Sequence, residues 1–233
     1  MTGPLGTTAS NPLHIGVLAL QGAFIEHIHM LERVAREQGL HLTISEVRTA
    51  AQLDPTTLHG LVLPGGESTA MALVAERSGC LDQLRAYVHA VPVWGTCAGM
   101  ILLSTAAEHT KEGGQKLLGA LDVTVDRNAF GRQADSFIGP LSIAGITTDT
   151  DSKPFSGVFI RAPVVTRVGD GVTVLGTVQH DNRDHGAVGE RVVAVQQGTR
   201  ILGTSFHPEL TADVRVHAYF VAMVQAWWLA RQQ

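Results

Sequence analysis

Three short apolar runs in the first half of the chain each end near a glycine turn that leads into a helix-like segment. The runs are Ile15–Leu20, Leu61–Leu63 and Val91–Trp94. Continuous apolar runs of this length are typical of strands buried on both faces. Strands that alternate with helices form parallel sheets with right-handed crossovers. The sequence therefore predicts an α/β fold with a mostly parallel, doubly wound sheet flanked by helices.

Apolar residues at helical spacing predict the helices that lie between these strands. A further strand is expected at His41–Val47. The predicted helices are one from Phe24 to a stop at Gly39, Ser68–Glu76, Leu81–Ala90, Ala98–Ala107 and a last one whose buried face carries Val216, Phe220, Met223 and Trp227.

The second half of the chain changes to short β-like runs separated by Gly, Asp and Asn clusters, which is typical of antiparallel strands. These runs are Leu118–Val125, Phe137–Ile143, Val158–Ile160, Val172–Val178, Val192–Gln196 and Ile201–Ser205. Residues 1–12 are predicted as a flexible tail and residues 13–233 as a single domain. Surface loops are expected at Thr110–Gln115, Asp149–Pro154 and His180–Gly189.

The charge balance argues against two classes of partner. Seventeen basic and 21 acidic residues give a net charge of −4 without a block of like charge, so neither nucleic acid nor an anionic membrane is expected as a partner. The apolar run Tyr219–Ala230 is interrupted by Gln225 and is too short to span a bilayer. Two cysteines and a start without signal-peptide layout indicate a reducing cytoplasmic setting, with an organelle as the alternative.

The segment Val93–Met100 places a cysteine on a tight turn between a strand and a helix. Its Gly95-x-Cys97-x-Gly99 pattern has the form of a nucleophile elbow with cysteine in place of serine. Amides at a helix start favour the thiolate, and the amide of Ala98 would face an oxyanion forming on a bound carbonyl. The alternative is a buried, inert cysteine, which is how we interpret Cys80.

A candidate base and its partner occur together near the C-terminus. His207 and Glu209 flank Pro208, which holds the backbone extended, so their side chains point to the same side. This is the arrangement of a nucleophile–base–carboxylate triad, and a surface turn is the alternative. His27 and His29 are interpreted as helix-surface or interface residues, because no third ligand stands at metal-binding spacing.

The turn Pro64–Thr69 contains two glycines after the third apolar run. It lacks the lysine of a phosphate-binding loop, and no dinucleotide fingerprint is present, so a nucleotide cofactor is not predicted. The turn offers backbone amides beside the strand that carries the cysteine, and Gly66 is a candidate second oxyanion donor. Neither a metal nor an organic cofactor is expected.

Taken together, these segments resemble the class I (triad) glutamine amidotransferase family, and within it the branch of glutaminase subunits of pyridoxal 5'-phosphate synthases. The resemblance runs from His14 to the final helix. The Cys97 turn and the His-Pro-Glu segment are shared across the family. The segments that select this branch are Gly66-Glu-Ser-Thr69, Arg127-Asn-Ala-Phe-Gly-Arg-Gln133 and Phe159-Ile-Arg-Ala-Pro163.

The resemblance implies an activity, a site and a partner. It implies hydrolysis of L-glutamine to glutamate and ammonia, and ammonia delivery to a barrel-shaped synthase subunit that makes pyridoxal 5'-phosphate. The implied site comprises the triad Cys97, His207 and Glu209, the oxyanion donors Gly66 and Ala98, and a glutamine pocket lined by Gly66, Glu67, Ser68, Arg127, Ile160 and Arg161. The alternatives are the glutaminase of another amidotransferase, such as imidazole glycerol phosphate synthase, and a non-catalytic regulatory subunit.

Overall fold

The computed structural model describes residues 12–110, 114–127, 136–148, 150–151, 153–182 and 187–232, without the side chains of 180–182 and 187–188. The predicted tail lies outside the described residues except for Pro12. The same is true of residues 128–133, which follow Arg127 in one of the segments that carry the family resemblance. In the described part of the chain, no helix is long and apolar enough to cross a membrane.

Strands and helices alternate through the first half, and strands dominate the second. The strands are β1 (Leu13–Leu18), β2 (Leu42–Val47), β3 (Gly60–Leu63), β4 (Val93–Thr96), β5 (Ser104–Glu108), β6 (Leu121–Asp126), β7 (Phe137–Leu141), β8 (Phe155–Phe159), β9 (Val164–Val168), β10 (Val172–Asn182), β11 (Ala187–Gln197) and β12 (Ile201–Thr204). The helices are α1 (Phe24–Gln38), α2 (Ser68–Arg77), α3 (Leu81–Val88), α4 (Ala98–Leu103) and α5 (Arg215–Ala230).

One mixed sheet organises the molecule. Its strand order is β2-β1-β3-β4-β12-β11-β9-β6-β5, with β10 paired to β11. The first five strands are mutually parallel. The pairs β12–β11, β11–β9, β9–β6 and β10–β11 are antiparallel, and β7 with β8 forms a separate antiparallel pair. The predicted mostly parallel sheet with added antiparallel strands is confirmed.

Two apolar layers cover the faces of the sheet. Along β3, Leu61 and Leu63 point into the layer with α2, α3 and α4, whereas Val62 points into the layer with α1 and α5. Trp94 of β4 and Leu202 of β12 share the side of Val62. Because neighbouring residues of a strand point to opposite faces, both faces of these strands require apolar side chains. The unbroken apolar runs in the sequence follow from this double burial.

Helix α4 is shorter than the sequence predicts. The predicted helix Ala98–Ala107 ends at Leu103, and the next five residues form β5. The amides of Leu118 and Ala120 donate to the carbonyls of Leu102 and Leu103, so the last carbonyls of the helix are satisfied from elsewhere in the chain. Pairing of β5 with β6 then replaces the remaining helical turns.

The β10–β11 ladder extends into a region predicted to be a loop. Its backbone pairing continues to Asn182 and Ala187, so the prediction of an exposed loop over His180–Gly189 is wrong for the described residues. Strand β9 was also not predicted from the sequence. It bridges β6 and β11, and its two buried valines, Val164 and Val165, are followed by exposed residues, which leaves little periodic signal.

Three neighbouring parallel strands bring the candidate site residues to one edge of the sheet. In register, Leu63 of β3 pairs with Gly95 of β4, and Thr204 of β12 pairs with Thr96. The amide of Cys97 continues the ladder by donating to the carbonyl of Thr204 at 2.8 Å. The glycine turn, the cysteine and the His207 segment therefore all begin at the same carboxyl edge, where ligands bind in open α/β folds.

The crossing of β3, β4 and α4 leaves no space for side chains at the two elbow glycines. A Cβ on Gly99 would lie 2.0 Å from the carbonyl oxygen of Leu63. A Cβ on Gly95 would lie 2.5 Å from the carbonyl carbon of Gly99. Both contacts are with backbone, which cannot rotate away. The glycines therefore allow the cysteine turn to approach β3.

We expect Gly99→Ala to lower the free energy of unfolding by ~1–3 kcal/mol, because the added methyl forces the α4 backbone away from β3. Urea denaturation measures the change. Gly139→Ala is the matched control, because a Cβ there meets only the Phe137 ring, at 3.5 Å. The control should stay within ~0.5 kcal/mol of the parent. Equal stability of both variants and the parent would contradict the crossing described above.

Candidate active site

Cys97 occupies a strained backbone position between β4 and α4. Its φ of 47° and ψ of −108° lie in a region that non-glycine residues rarely adopt. The residue is 6% exposed and stands immediately before the first turn of α4. Strain of this kind persists where the surrounding structure enforces it, and it occurs often at functional sites. The elbow geometry predicted for the Gly95–Gly99 turn is therefore present.

His207 connects the cysteine to a buried carboxylate. Its Nδ1 lies 2.8 Å from Oε1 of Glu209, and its ring lies beside Cys97 on the other side. Because Nδ1 faces the carboxylate, Nε2 is the ring nitrogen available to the sulfur. Burial disfavours the imidazolium, but the bonds to Cys97 and Glu209 outweigh it and raise the pKa of His207 to about 10. The arrangement thus favours a protonated base beside the thiol group.

Glu209 sits in a short 3-10 helix, Pro208–Leu210, with its side chain fully buried. The prediction that Pro208 holds this segment extended is therefore wrong, because the fixed φ of proline also suits the first position of a helix. Burial opposes its charged form, yet the hydrogen bond with His207 and the electrostatic influence of His27 and His207 hold the pKa of Glu209 below the ordinary value. Its second oxygen, Oε2, is buried without a hydrogen bond in the described structure. The Nε2 atom of His27 lies 3.4 Å from that oxygen. The carboxylate is therefore contacted by imidazoles on both sides.

The interpretation of His27 as a helix-surface residue is wrong, whereas His29 is exposed as expected. His27 is fully buried and occupies the stripe of α1 that also buries Met30, Leu31 and Val34. Its position at i, relative to i+3, i+4 and i+7, is that of a core residue. The helical spacing of His27 with these apolar residues indicated burial in the sequence. We did not predict it because histidine is polar.

The glycine turn after β3 lies against the cysteine–histidine pair. A Cβ on Gly65 would fall 2.9 Å from His207 Nδ1 and 3.5 Å from Cys97 Cβ. The carbonyl of Gly65 accepts from the amide of Ala23 at 3.0 Å, and Gln21 Oε1 accepts from the amide of Glu67 at 2.8 Å. The segment before α1 therefore orients the turn that contains Gly66. Gln21 was not predicted as a site residue.

Glu67 and Arg127 are paired in this structure. Glu67 caps α2 by accepting from the amides of Thr69 and Ala70, and Arg127 Nη2 donates to Glu67 Oε1 at 3.0 Å. Burial opposes the carboxylate, but these hydrogen bonds and the nearby guanidinium hold its pKa below the ordinary value. The two residues are therefore brought together at the start of α2.

Ser68 is buried at the start of α2, and its hydroxyl donates to Gln115 Oε1 at 3.1 Å. Gln115 is the last residue of the segment Thr110–Gln115, which was predicted to be a surface loop. Gln115 is half-buried there, also contacts Thr69, and keeps a buried Nε2 without a partner in the described structure. Residues 111–113 of this segment lie outside the described residues.

Ile160 and Arg161 follow β8 and are both exposed. The amide of His207 donates to the carbonyl of Val158 at 2.8 Å, which holds the end of β8 beside the base. Arg161 adopts φ +46°, a second strained non-glycine position near the site. The structure thus brings the triad residues and the glycine turn together at one edge of the sheet and pairs Glu67 with Arg127, while Ile160 and Arg161 follow a strand whose end is hydrogen-bonded to His207.

Two solved structures share this architecture. One, described as a glutamine amidotransferase, has a TM-score of 0.72 at 41% identity over 90% of this chain and 98% of that one. The other, described as a putative GMP synthase component from Thermoplasma acidophilum, has a TM-score of 0.59 at 20% identity over 95% and 98%, and shows the fold alone. The fold and the cysteine elbow together define a protein of the class I glutamine amidotransferase type.

A model of the SNO glutamine amidotransferase family matches residues 17–226, and the chain belongs to that family. Three similar relatives are named as subunits of pyridoxal 5'-phosphate synthase. A probable PDX2 subunit from Arabidopsis thaliana is 45% identical, over 91% of this chain and 86% of the relative. PdxT subunits from Corynebacterium jeikeium and Acidothermus cellulolyticus are both 46% identical, over 91% and 94% of this chain and 96% and 98% of their own lengths.

We expect His27 and His217, which are fully buried and 2.9 Å apart, to make the fold sensitive to acid. Burial lowers the pKa values of His27 and His217 to about 3, below the ordinary 6.5. Between pH 6.5 and 3 the unfolded chain therefore binds more protons than the folded chain. The free energy of unfolding falls as the pH falls through this range. His217→Asn should reduce the slope of unfolding free energy between about pH 6 and about pH 5 by ~1.4 kcal/mol per pH unit.

Urea titrations at fixed pH values measure that slope. His29→Asn is the control, because His29 lies on the exposed face of α1 and its removal should leave the slope unchanged. An unchanged slope in His217→Asn would show that this histidine is not held neutral in the folded protein.

Proposed function

We propose that this chain is a glutaminase subunit that hydrolyses L-glutamine and passes the ammonia to a synthase subunit that makes pyridoxal 5'-phosphate. The observation that carries the proposal is that Cys97 stands on a strained elbow beside the ring of His207, whose Nδ1 is hydrogen-bonded to Glu209. A cysteine, a base and an orienting carboxylate in this order form the machinery of acyl transfer. Residues 13–233 act as a single domain in this proposal.

In the first half-reaction, the thiolate of Cys97 attacks the side-chain carbonyl carbon of glutamine. The protonated His207 gives its proton to the amide nitrogen, the carbon–nitrogen bond breaks, and ammonia leaves a thioester behind. In the second half-reaction, the now neutral His207 takes a proton from water, and the resulting hydroxide attacks the thioester. The thiolate leaves as glutamate forms, and Glu209 keeps the imidazole oriented in both steps.

Two backbone amides are the proposed donors to the oxyanion of the tetrahedral intermediate. The amide of Ala98 belongs to the first turn of α4, where amides have no intrahelical acceptor. The second is the amide of Gly66, in the turn packed against Cys97 and His207. Loss of one such donor costs roughly 3 kcal/mol of barrier in comparable sites.

The proposed glutamine pocket lies between the α2 start and the end of β8. Glu67 supplies a carboxylate for the substrate ammonium, while Arg127 and Arg161 supply guanidinium groups for its carboxylate. Ser68, the Gly66 backbone and Ile160 complete the lining. Since Glu67 and Arg127 pair with each other in the described structure, the two charged ends of glutamine would replace that ion pair with complementary contacts.

A protein partner and a compartment follow from the chemistry. Ammonia released into neutral water is protonated and loses its nucleophilicity, so direct delivery to a synthase protects the product. The named relatives are subunits of such a synthase. Both cysteines are free and buried, and a thiol nucleophile needs a reducing environment, which supports the cytoplasm.

The deciding experiment is a glutamate-release assay with and without a pyridoxal 5'-phosphate synthase subunit. We expect the synthase to increase glutamate release from the parent chain, and Cys97→Ala to reduce it by about 10⁴-fold or more. Cys80→Ala is the control, since Cys80 packs in the core before α3 and should leave turnover intact. Glutamate release from Cys97→Ala at the parent rate would refute the proposal.

We expect Arg161→Gly to separate binding from stability. Glycine relieves the positive φ, so the free energy of unfolding should be unchanged or higher by up to about 1 kcal/mol. Loss of the guanidinium should raise the KM for glutamine about tenfold or more, because a hydrogen bond to a charged group is lost. His109→Gly is the matched control, since His109 has φ +55° outside the proposed pocket. An unchanged KM in Arg161→Gly would remove Arg161 from the pocket.

A further inference from the structure

A line of buried polar groups continues beyond the proposed triad. His27 Nε2 lies 3.4 Å from Glu209 Oε2 and 3.3 Å from Thr96 Oγ1. On the other side of the ring, His27 Nδ1 lies 2.9 Å from His217 Nε2. His27, Thr96 and His217 are each fully buried. The polar line therefore runs from the cysteine through the whole core layer to α5.

The surroundings of this line consist largely of packed rings. Trp94 meets the His27 ring edge-on at a centroid distance of 5.4 Å and the His217 ring at 4.9 Å. The indole nitrogen is satisfied elsewhere, by Thr204 Oγ1 at 3.1 Å. Glu209 Oε2 makes no hydrogen bond in the described structure, which is costly for a buried carboxylate oxygen. His27 Nε2 lies 3.4 Å away, at ion-pair distance, so a small turn of either side chain would complete a bond.

The charge of Glu209 favours one tautomer of His27, and the Thr96 hydroxyl, 3.3 Å from the same Nε2, can accept from that tautomer as well. An anionic carboxylate can only accept, so the proton of His27 belongs on Nε2, which faces it. Nδ1 is then an acceptor and must receive the Nε2 proton of His217. That leaves His217 Nδ1 without a proton, and this atom is indeed buried with no partner in the described structure. The opposite tautomer would point a lone pair of His27 at the carboxylate.

We propose that His27 is a positioning residue, which holds the second oxygen of Glu209 through its Nε2 proton, and that His217 sets its tautomer. The catalytic consequence rests on the function proposed above. Since Oε1 of Glu209 bonds to His207, anchoring Oε2 fixes the rotation of the carboxylate and, through it, the ring that faces Cys97.

A neutral donor suits this role better than a cation. Burial is the largest effect on the pKa of His27 and lowers it to about 3, against the opposing influence of Glu209; His217 and His207 lower it further. A neutral imidazole orients the carboxylate without cancelling its charge. Glu209 thus remains an anion and can still stabilise the protonated form of His207.

The test compares His27→Gln, whose amide N–H replaces the donor, with the apolar His27→Leu. The first readout is the pH dependence of Cys97 alkylation by iodoacetamide, measured in a Cys80→Ala background, which requires neither glutamine nor a partner. We expect the alkylation midpoint of His27→Leu to rise by about one pH unit, the size expected from a lost hydrogen bond to a charged group. His27→Gln should stay near the parent, and the exposed His29→Leu is the control.

The second readout is glutamate release in the presence of the synthase subunit. His27→Leu should lower kcat about tenfold with little change in KM, and His27→Gln should restore most of kcat. A parent-like alkylation midpoint and kcat in His27→Leu would overturn the proposal, as would equal losses in both variants. A raised midpoint without any glutaminase activity in the parent would keep His27 as a positioning residue and reject the proposed function instead.

A third measurement does not depend on the folding of a variant. Two-bond proton–nitrogen spectra of the ¹⁵N-histidine-labelled parent report the tautomer of each ring, and His27→Gln or His217→Asn identifies the signals. We expect His27 to be neutral and protonated on Nε2 at neutral pH. An Nδ1-protonated or cationic His27 would overturn the proposal even if His27→Leu failed to fold.

Discussion

The parallel pairing of β4 with β12 is the interaction on which the rest of the site depends. It places Thr96 beside Thr204, and the hydrogen bond from the Cys97 amide to Thr204 extends the ladder into the elbow. One residue of slip would turn every side chain of these strands to the opposite face. Because both faces are packed with apolar side chains, such a slip would also disrupt both core layers. Packing of the core thus fixes the strand register, and the register in turn fixes the positions of Cys97 and His207.

Much of the fold could be predicted because strands that are buried on both faces are continuous apolar runs in the sequence. The runs that became β1, β3 and β12 were identified within a few residues of their observed ends. The segment after Leu103 was misjudged because small residues such as Ala106 and Ala107 suit a helix locally. Tertiary hydrogen bonds from Leu118 and Ala120 decided otherwise. Local propensity does not register contacts of that kind.

In the candidate site, too, residues marked by local sequence were predicted and residues that depend on tertiary packing were not. Cys97 was singled out because turn glycines constrain its backbone, and His207 with Glu209 because they stand two residues apart after a buried strand; their catalytic roles stay predictions. His27 and Gln115 were missed because their contacts depend on how distant segments pack. A polar residue inside an apolar stripe is the signal that would have identified His27. Gln115 carries no comparable mark in the sequence. The roles of the pocket residues, including Arg127 and Arg161, stay predictions.

Because β4 and β12 are far apart along the chain, the Cys97 segment and the His207 segment are synthesised at different times. A chain emerging from the ribosome exposes the Cys97 segment long before the His207 segment exists, and long-range strand pairing forms late in folding. The thiol therefore has neither the proposed base nor the strand that holds the elbow until the segment from β12 to His207 has been made. Under the proposed function, a nascent chain that ends before His207 would carry a cysteine without its base.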